Sequence, residues 1–103
     1  MLLCVDIGNS NIVLGIYHGE ELLANWRIAT DHQKMPDEYG VLLLSLMARK
    51  QVPRSEIDGI VLASVVPSLT EILVEMLREY IGLEPVVVGS GVKTGVVVRY
   101  DSP

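Results

Sequence analysis

The chain has 103 residues, 50% of them hydrophobic and 20% charged, which predicts one compact, ordered domain. With Lys+Arg 8 against Asp+Glu 13, the formal net charge is −5, and such a chain lacks the positive field that holds nucleic acid, so no nucleic-acid partner is expected. No apolar run reaches the roughly 18–20 residues that cross a bilayer, Met1 to Asp6 has no basic n-region, and Cys4 stands alone, which excludes a membrane partner, a secretory signal and a disulfide framework and predicts a cytoplasmic protein.

Leu2-Leu3-Cys4-Val5 is a continuous apolar run that suits a central strand covered on both faces, with Cys4 an inert core thiol. It meets Asp6-Ile7-Gly8-Asn9-Ser10-Asn11, which is dense in turn formers. Ile12 to Tyr17 is a second strand, His18-Gly19-Glu20 a tight loop, and Glu21 to Ile28 a third strand, so the start of the chain is an antiparallel meander. Trp26 is expected on a sheet face, and His18 and His32 in solvent.

Pro36 suits the first position of a helix, with Asp37 and Glu38 beside its positive end. Tyr39, Leu42, Leu43, Leu46 and Met47 recur at helical spacing, and the helix is expected to end near Lys50 before Pro53. Gly59 to Val66 is a buried strand, able to pair in parallel with the first strand through a right-handed crossover. Ser68-Leu69-Thr70-Glu71 fits a capping box for a second helix with Leu69, Ile72, Leu73, Met76, Leu77 and Tyr80 on its apolar face and Gly82 as its stop. Pro85 to Val88 is a fifth strand, Gly89 to Gly95 a glycine-rich loop, and Val96 to Val98 a short final strand. The order βββαβαβ resembles the ribonuclease H-like half-domain that the actin and sugar-kinase superfamily uses twice, an α/β fold with a mixed sheet flanked by helices. A fold match does not by itself give a function.

The strongest chemical signal is the Asp6–Asn11 turn between two strands. Gly8 lets the turn tighten and phosphate approach the backbone, and successive amide N–H groups form an anion-binding concavity. Asn9, Ser10 and Asn11 add neutral donors, and Asp6 is a carboxylate able to hold Mg²⁺ directly or through water. The alternative is a plain hairpin turn closed by an Asx cap, and spacing alone does not separate the two. Gly89-Ser90-Gly91-Val92-Lys93-Thr94 fails as a P-loop, since Val92 stands where glycine must precede the lysine. Two-metal nuclease chemistry needs converging carboxylates, and strand Ile60 to Ser64 carries none. Ser64 could face the crevice of Asp6 or bond to nearby backbone. Arg99 and Tyr100 could offer a cation and a phenol to a polar ligand.

The segments Asp6 through Gly15, Trp26-Arg27-Ile28, Asp37-Glu38-Tyr39-Gly40, Ser64 through Thr70, and Gly91 through Asp101 resemble the type III pantothenate kinases, in order and at that family's spacing. The resemblance covers nearly the whole chain. It implies ATP-dependent phosphorylation of pantothenate, the first step toward coenzyme A, with Mg²⁺, a monovalent cation (K⁺ or NH₄⁺) and a homodimeric assembly. Carried over by position, it implies that Asp6, Ile7, Gly8, Asn9, Ser10, Asn11, Ile12 and Val13 bind the ATP phosphates, that Asp6 organises Mg²⁺, and that Tyr100 lines the pantothenate pocket. The family's catalytic base lies in a Gly-x-Asp-Arg motif shortly after the Tyr-Asp-x-Pro stretch, so no catalytic residue is expected within this chain. Residues 1–103 are thus expected to be the first half-domain of a two-half kinase, inactive in isolation, with the second half absent from this chain. Two other expectations compete: a non-catalytic phosphate- or nucleotide-binding regulatory module, and a truncated product with no function of its own.

Overall fold

The computed structural model describes residues 1–89. The glycine-rich loop from Ser90 onward, the expected strand Val96 to Val98, and Arg99 and Tyr100 lie outside the described residues.

Three strands, β1 (Leu2–Ile7), β2 (Asn11–His18) and β3 (Glu21–Ala29), precede the helix α1 (Pro36–Arg49). The strand β4 (Gly59–Ser64), the helix α2 (Pro67–Tyr80) and the strand β5 (Val86–Val88) follow. One five-stranded sheet results, in the order β3-β2-β1-β4-β5. The meander pairs antiparallel as expected, while β1 pairs with β4, and β4 with β5, in parallel.

Strand residues alternate between faces. Leu3, Val5 and Ile7 sit opposite Ile16, Leu14 and Ile12, and all six are buried to 2% exposure or less. They form one cluster with Tyr39, Leu43 and Met47 of α1 and Leu69, Leu73, Met76 and Leu77 of α2. Burial of this set, together with the half-buried Trp26 and Ile28 packed against it, is the main force holding helices to sheet. The residues between them, Leu2, Cys4 and Asp6, are only half-buried. The expectation of β1 covered on both faces is therefore corrected: among the described residues the helices cover one face, and Cys4 belongs to the other. A continuous apolar run does not distinguish these cases, because Cys4 is apolar enough for either.

The two helices meet at a small-to-large contact. A Cβ on Gly40 would lie 2.4 Å from the Tyr80 ring, so only glycine lets the ring settle against α1. The Tyr80 hydroxyl then donates to the Asp37 carboxylate at 2.7 Å. Glu38 accepts the Met35 N–H at 2.8 Å and closes the start of α1. The expected capping box at Ser68 is not formed. Pro67 occupies the first helical position, Val66 is the N-cap, and no side chain caps it, because proline's fixed φ starts the helix ahead of Ser68. Gly82, at φ 86°, ends the helix as expected.

Candidate active site

β1 extends through Asp6 and Ile7, two residues beyond its apolar run. Hydrogen bonding to β2 and β4 on either side holds these two residues extended despite the turn formers that follow. Asp6 therefore sits on a rigid strand, near its carboxyl end and on the face the helices leave open. Register places Val13 and Ala63 beside it, and Arg27 beyond Val13. The row across the sheet is Arg27, Val13, Asp6, Ala63.

The turn that follows is fixed from below. Gly8 N–H donates to the Asn11 carbonyl at 2.9 Å, and a Cβ on Gly8 would approach that oxygen to 3.0 Å. Thr30, just past β3, holds the carbonyls of Gly8 and Ser10. Its hydroxyl donates to the Gly8 oxygen at 2.7 Å, and its N–H donates to the Ser10 oxygen at 3.0 Å. With the Gly8, Ser10 and Asn11 carbonyls engaged, the turn presents the N–H groups of Asn9 and Ser10, which find no acceptor among the described residues. The side chains of Asn9, Ser10 and Asn11 make no hydrogen bond there either, so the hairpin is not closed by an Asx cap. Unspent donors in a preformed turn are what an anion requires.

Thr30 is itself anchored. The buried Tyr39 hydroxyl donates to the Asp31 carbonyl at 2.8 Å and accepts the Asp31 N–H at 3.1 Å. The Asp31 carboxylate accepts the Gln33 N–H at 2.9 Å and lies 3.6 Å from the Lys34 ammonium. The backbone bond, aided by Lys34, holds this carboxyl below its ordinary range. The Asp37-Glu38-Tyr39-Gly40 motif thus has a structural account: each of its residues ties α1 to the loop, to its own start, or to α2.

Asp6, Gly8, Ser10, Asn11, Val13 and Arg27 line an open concavity of about 400 Å³. Of the eight positions expected at the phosphates, Ile7 and Ile12 are fully buried toward the helices, so their side chains cannot reach this hollow, and neither residue lines it. Asn9 is exposed at the tip of the turn. Ser64 is engaged elsewhere: its hydroxyl accepts the Val66 N–H at 3.0 Å and donates to the Val66 carbonyl at 3.1 Å. Register puts Ser64 beside Ile7 rather than Asp6, which decides between its two readings. No cluster of three His, Cys, Asp or Glu forms among the described residues. His18 and His32 are exposed as expected. Sequence spacing missed Arg27 and Thr30. Each enters the site only through the pairing of β2 with β3, and alternation along β3 was the one available signal.

The residues present suit a magnesium-bound phosphate. Asp6 has no hydrogen bond or ion pair with another described residue, so its carboxylate is available to a cation. The free amides stand beside it.

Solved structures share this fold. A putative N-acetylglucosamine kinase from Porphyromonas gingivalis superposes with a TM-score of 0.64 at 18% identity, over 87% of this chain and 34% of that one. A ROK hexokinase from Thermus thermophilus gives 0.64 at 15% identity, over 85% and 33%. The fold is the ribonuclease H-like half-domain of sugar kinases and actin-like ATPases. Sequence narrows the class. The family model for type III pantothenate kinase matches residues 2–103, and the chain belongs to that family. It is 52% identical to the type III pantothenate kinase of Moorella thermoacetica and 50% identical to that of Geotalea uraniireducens, in each case over all of this chain. The chain spans 41% and 40% of the length of those two relatives.

Proposed function

We propose that residues 1–103 form the first, phosphate-binding half-domain of an ATP-dependent pantothenate kinase. One observation carries the reading: in a chain of this family, a turn whose Gly8 and Ser10 carbonyls are held by Thr30 offers free N–H groups beside the unpaired carboxylate of Asp6.

In the reaction, the hydroxyl oxygen of pantothenate bonds to the γ-phosphorus. The bond from that phosphorus to the β–γ bridging oxygen breaks, and ADP leaves. The hydroxyl proton passes to a base, which the family resemblance puts in the Gly-x-Asp-Arg motif beyond Pro103, with Tyr100 lining the pantothenate pocket. This chain's own share is positioning and charge. The Asn9 and Ser10 amides, with the neutral side chains of Ser10 and Asn11, grip phosphate oxygens in a turn that needs no rearrangement. Asp6 would hold Mg²⁺ directly or through water, and a bound ion would supply charge neutralisation at the phosphates. The need for K⁺ or NH₄⁺ and the homodimer rest on the family resemblance alone, and the cytoplasmic location on the sequence composition.

The test is calorimetric titration of the chain with Mg·ATP, paired with a phosphorylation assay on the longer protein that contains it. Millimolar or tighter binding, lost in Asp6→Ala and Ser10→Ala, is expected, with pantothenate phosphorylated by the longer protein and not by residues 1–103. Binding indifferent to both substitutions would falsify the site. Binding with no phosphorylation by the longer protein would favour a regulatory module.

A further inference from the structure

Arg27 is the one cation among the six residues that line the concavity. It sits on β3 directly across from Val13, which sits across from Asp6. Two strand spacings separate the Arg27 and Asp6 backbones, roughly 10 Å. That is near enough for both side chains to reach one group between them. None of the ion pairs among the described residues includes either side chain. Val13, the residue between them, is apolar and only half-buried. The floor of the hollow therefore satisfies neither charge.

The charge balance of the hollow points the same way. A magnesium-bound polyphosphate remains anionic, and Asp6 adds a further negative charge. Neutral amides and hydroxyls orient phosphate oxygens but supply no full positive charge. Guanidinium does, and its planar fork matches two phosphate oxygens at once. Its exposure leaves it able to swing onto a ligand without breaking any existing bond.

We infer that Arg27 is a phosphate-binding residue of this site, gripping the polyphosphate tail of the nucleotide from β3 while the turn and Asp6 hold it from the β1 side. The inference rests on the reading of the hollow as a nucleotide phosphate site. It adds a full positive charge from a third strand, which neither the turn nor its spacing contains.

Two probes test it, Mg·ATP and magnesium tripolyphosphate, titrated calorimetrically into the chain and its variants. The second removes any role of the base and sugar. Arg27→Gln is expected to weaken both by roughly tenfold, the scale of one partly exposed charge-assisted hydrogen bond. Arg27→Lys keeps the charge without the fork and is expected to fall between. If Asp6→Ala abolishes binding while Arg27→Gln binds as the unsubstituted chain does, the role of Arg27 is overturned and the site reading stands. If the unsubstituted chain binds neither probe, both fail together. If Arg27→Gln unfolds at lower temperature than its parent, the comparison is made with Arg27→Lys, and equal affinity there overturns the inference.

Discussion

Thr30→Val tests the idea that the phosphate turn is preformed. Valine keeps the β-branched shape and replaces only the hydroxyl, so the backbone bond from Thr30 N–H to the Ser10 oxygen at 3.0 Å survives. What disappears is the 2.7 Å donation to the Gly8 carbonyl, a partly buried contact that joins residues 22 positions apart. A neutral hydrogen bond of this kind contributes about 1 kcal/mol net, and an acceptor left without a partner raises the cost to about 1–3 kcal/mol. Partial exposure lets water reach the Gly8 oxygen, so the lower part of that range applies, about 1–1.5 kcal/mol. For a domain near 100 residues, each kcal/mol moves the melting temperature by about 4–8 °C. Denaturant unfolding followed by circular dichroism measures the stability term, and Mg·ATP titration measures the turn. Both should fall in Thr30→Val and recover in Thr30→Ser. Unchanged stability and affinity in Thr30→Val would refute the claim that this hydroxyl shapes the site.

Two further outcomes follow from contacts away from the turn. Gly40→Ala puts a methyl group 2.4 Å from the Tyr80 ring, so the α1–α2 contact must open, and denaturant unfolding should show a loss of about 1–3 kcal/mol; the loss should shrink when Tyr80 is also replaced by Ala. The Asp31 carboxyl is held below its ordinary range by the Gln33 N–H and by Lys34. Its folded pKa is depressed, so its contribution is present above the unfolded value near 3.8 and is lost as pH falls through the lower folded value. Asp31→Asn should therefore flatten the acid limb of a melting-temperature profile below about pH 4 and leave the neutral region parallel to the parent's.

Local pattern carried most of the architecture. The apolar spacing of Tyr39, Leu43 and Met47 and of Leu69, Leu73 and Leu77 placed both helices, and turn formers separated the strands. It erred where two local rules competed. Ser68 satisfies the capping-box spacing, yet Pro67 starts the helix before it. Asp6 belongs by composition to the turn and by pairing to β1, and the ladder on both sides prevails. The site divides the same way. Asp6 through Asn11 were legible because a run of small and polar residues must turn and must expose donors. Arg27 and Thr30 were not, because they reach the site only through strand register, which no local spacing records. Even the Asx-capped alternative could be removed only by seeing that Thr30, rather than an asparagine, holds the turn.

The alternation along β1 sets a parity rule for change in this protein. Leu3, Val5 and Ile7 belong to the core, while Asp6, one position away, lines the open concavity. A single inserted or deleted residue ahead of Asp6, with the pairing to β4 kept, would drive the carboxylate under the helices and turn an isoleucine out onto the open face. Stability and function would fail together, although no residue had been substituted. Length changes in this strand are tolerable only in steps of two, which makes its residue count as much a functional feature as its aspartate.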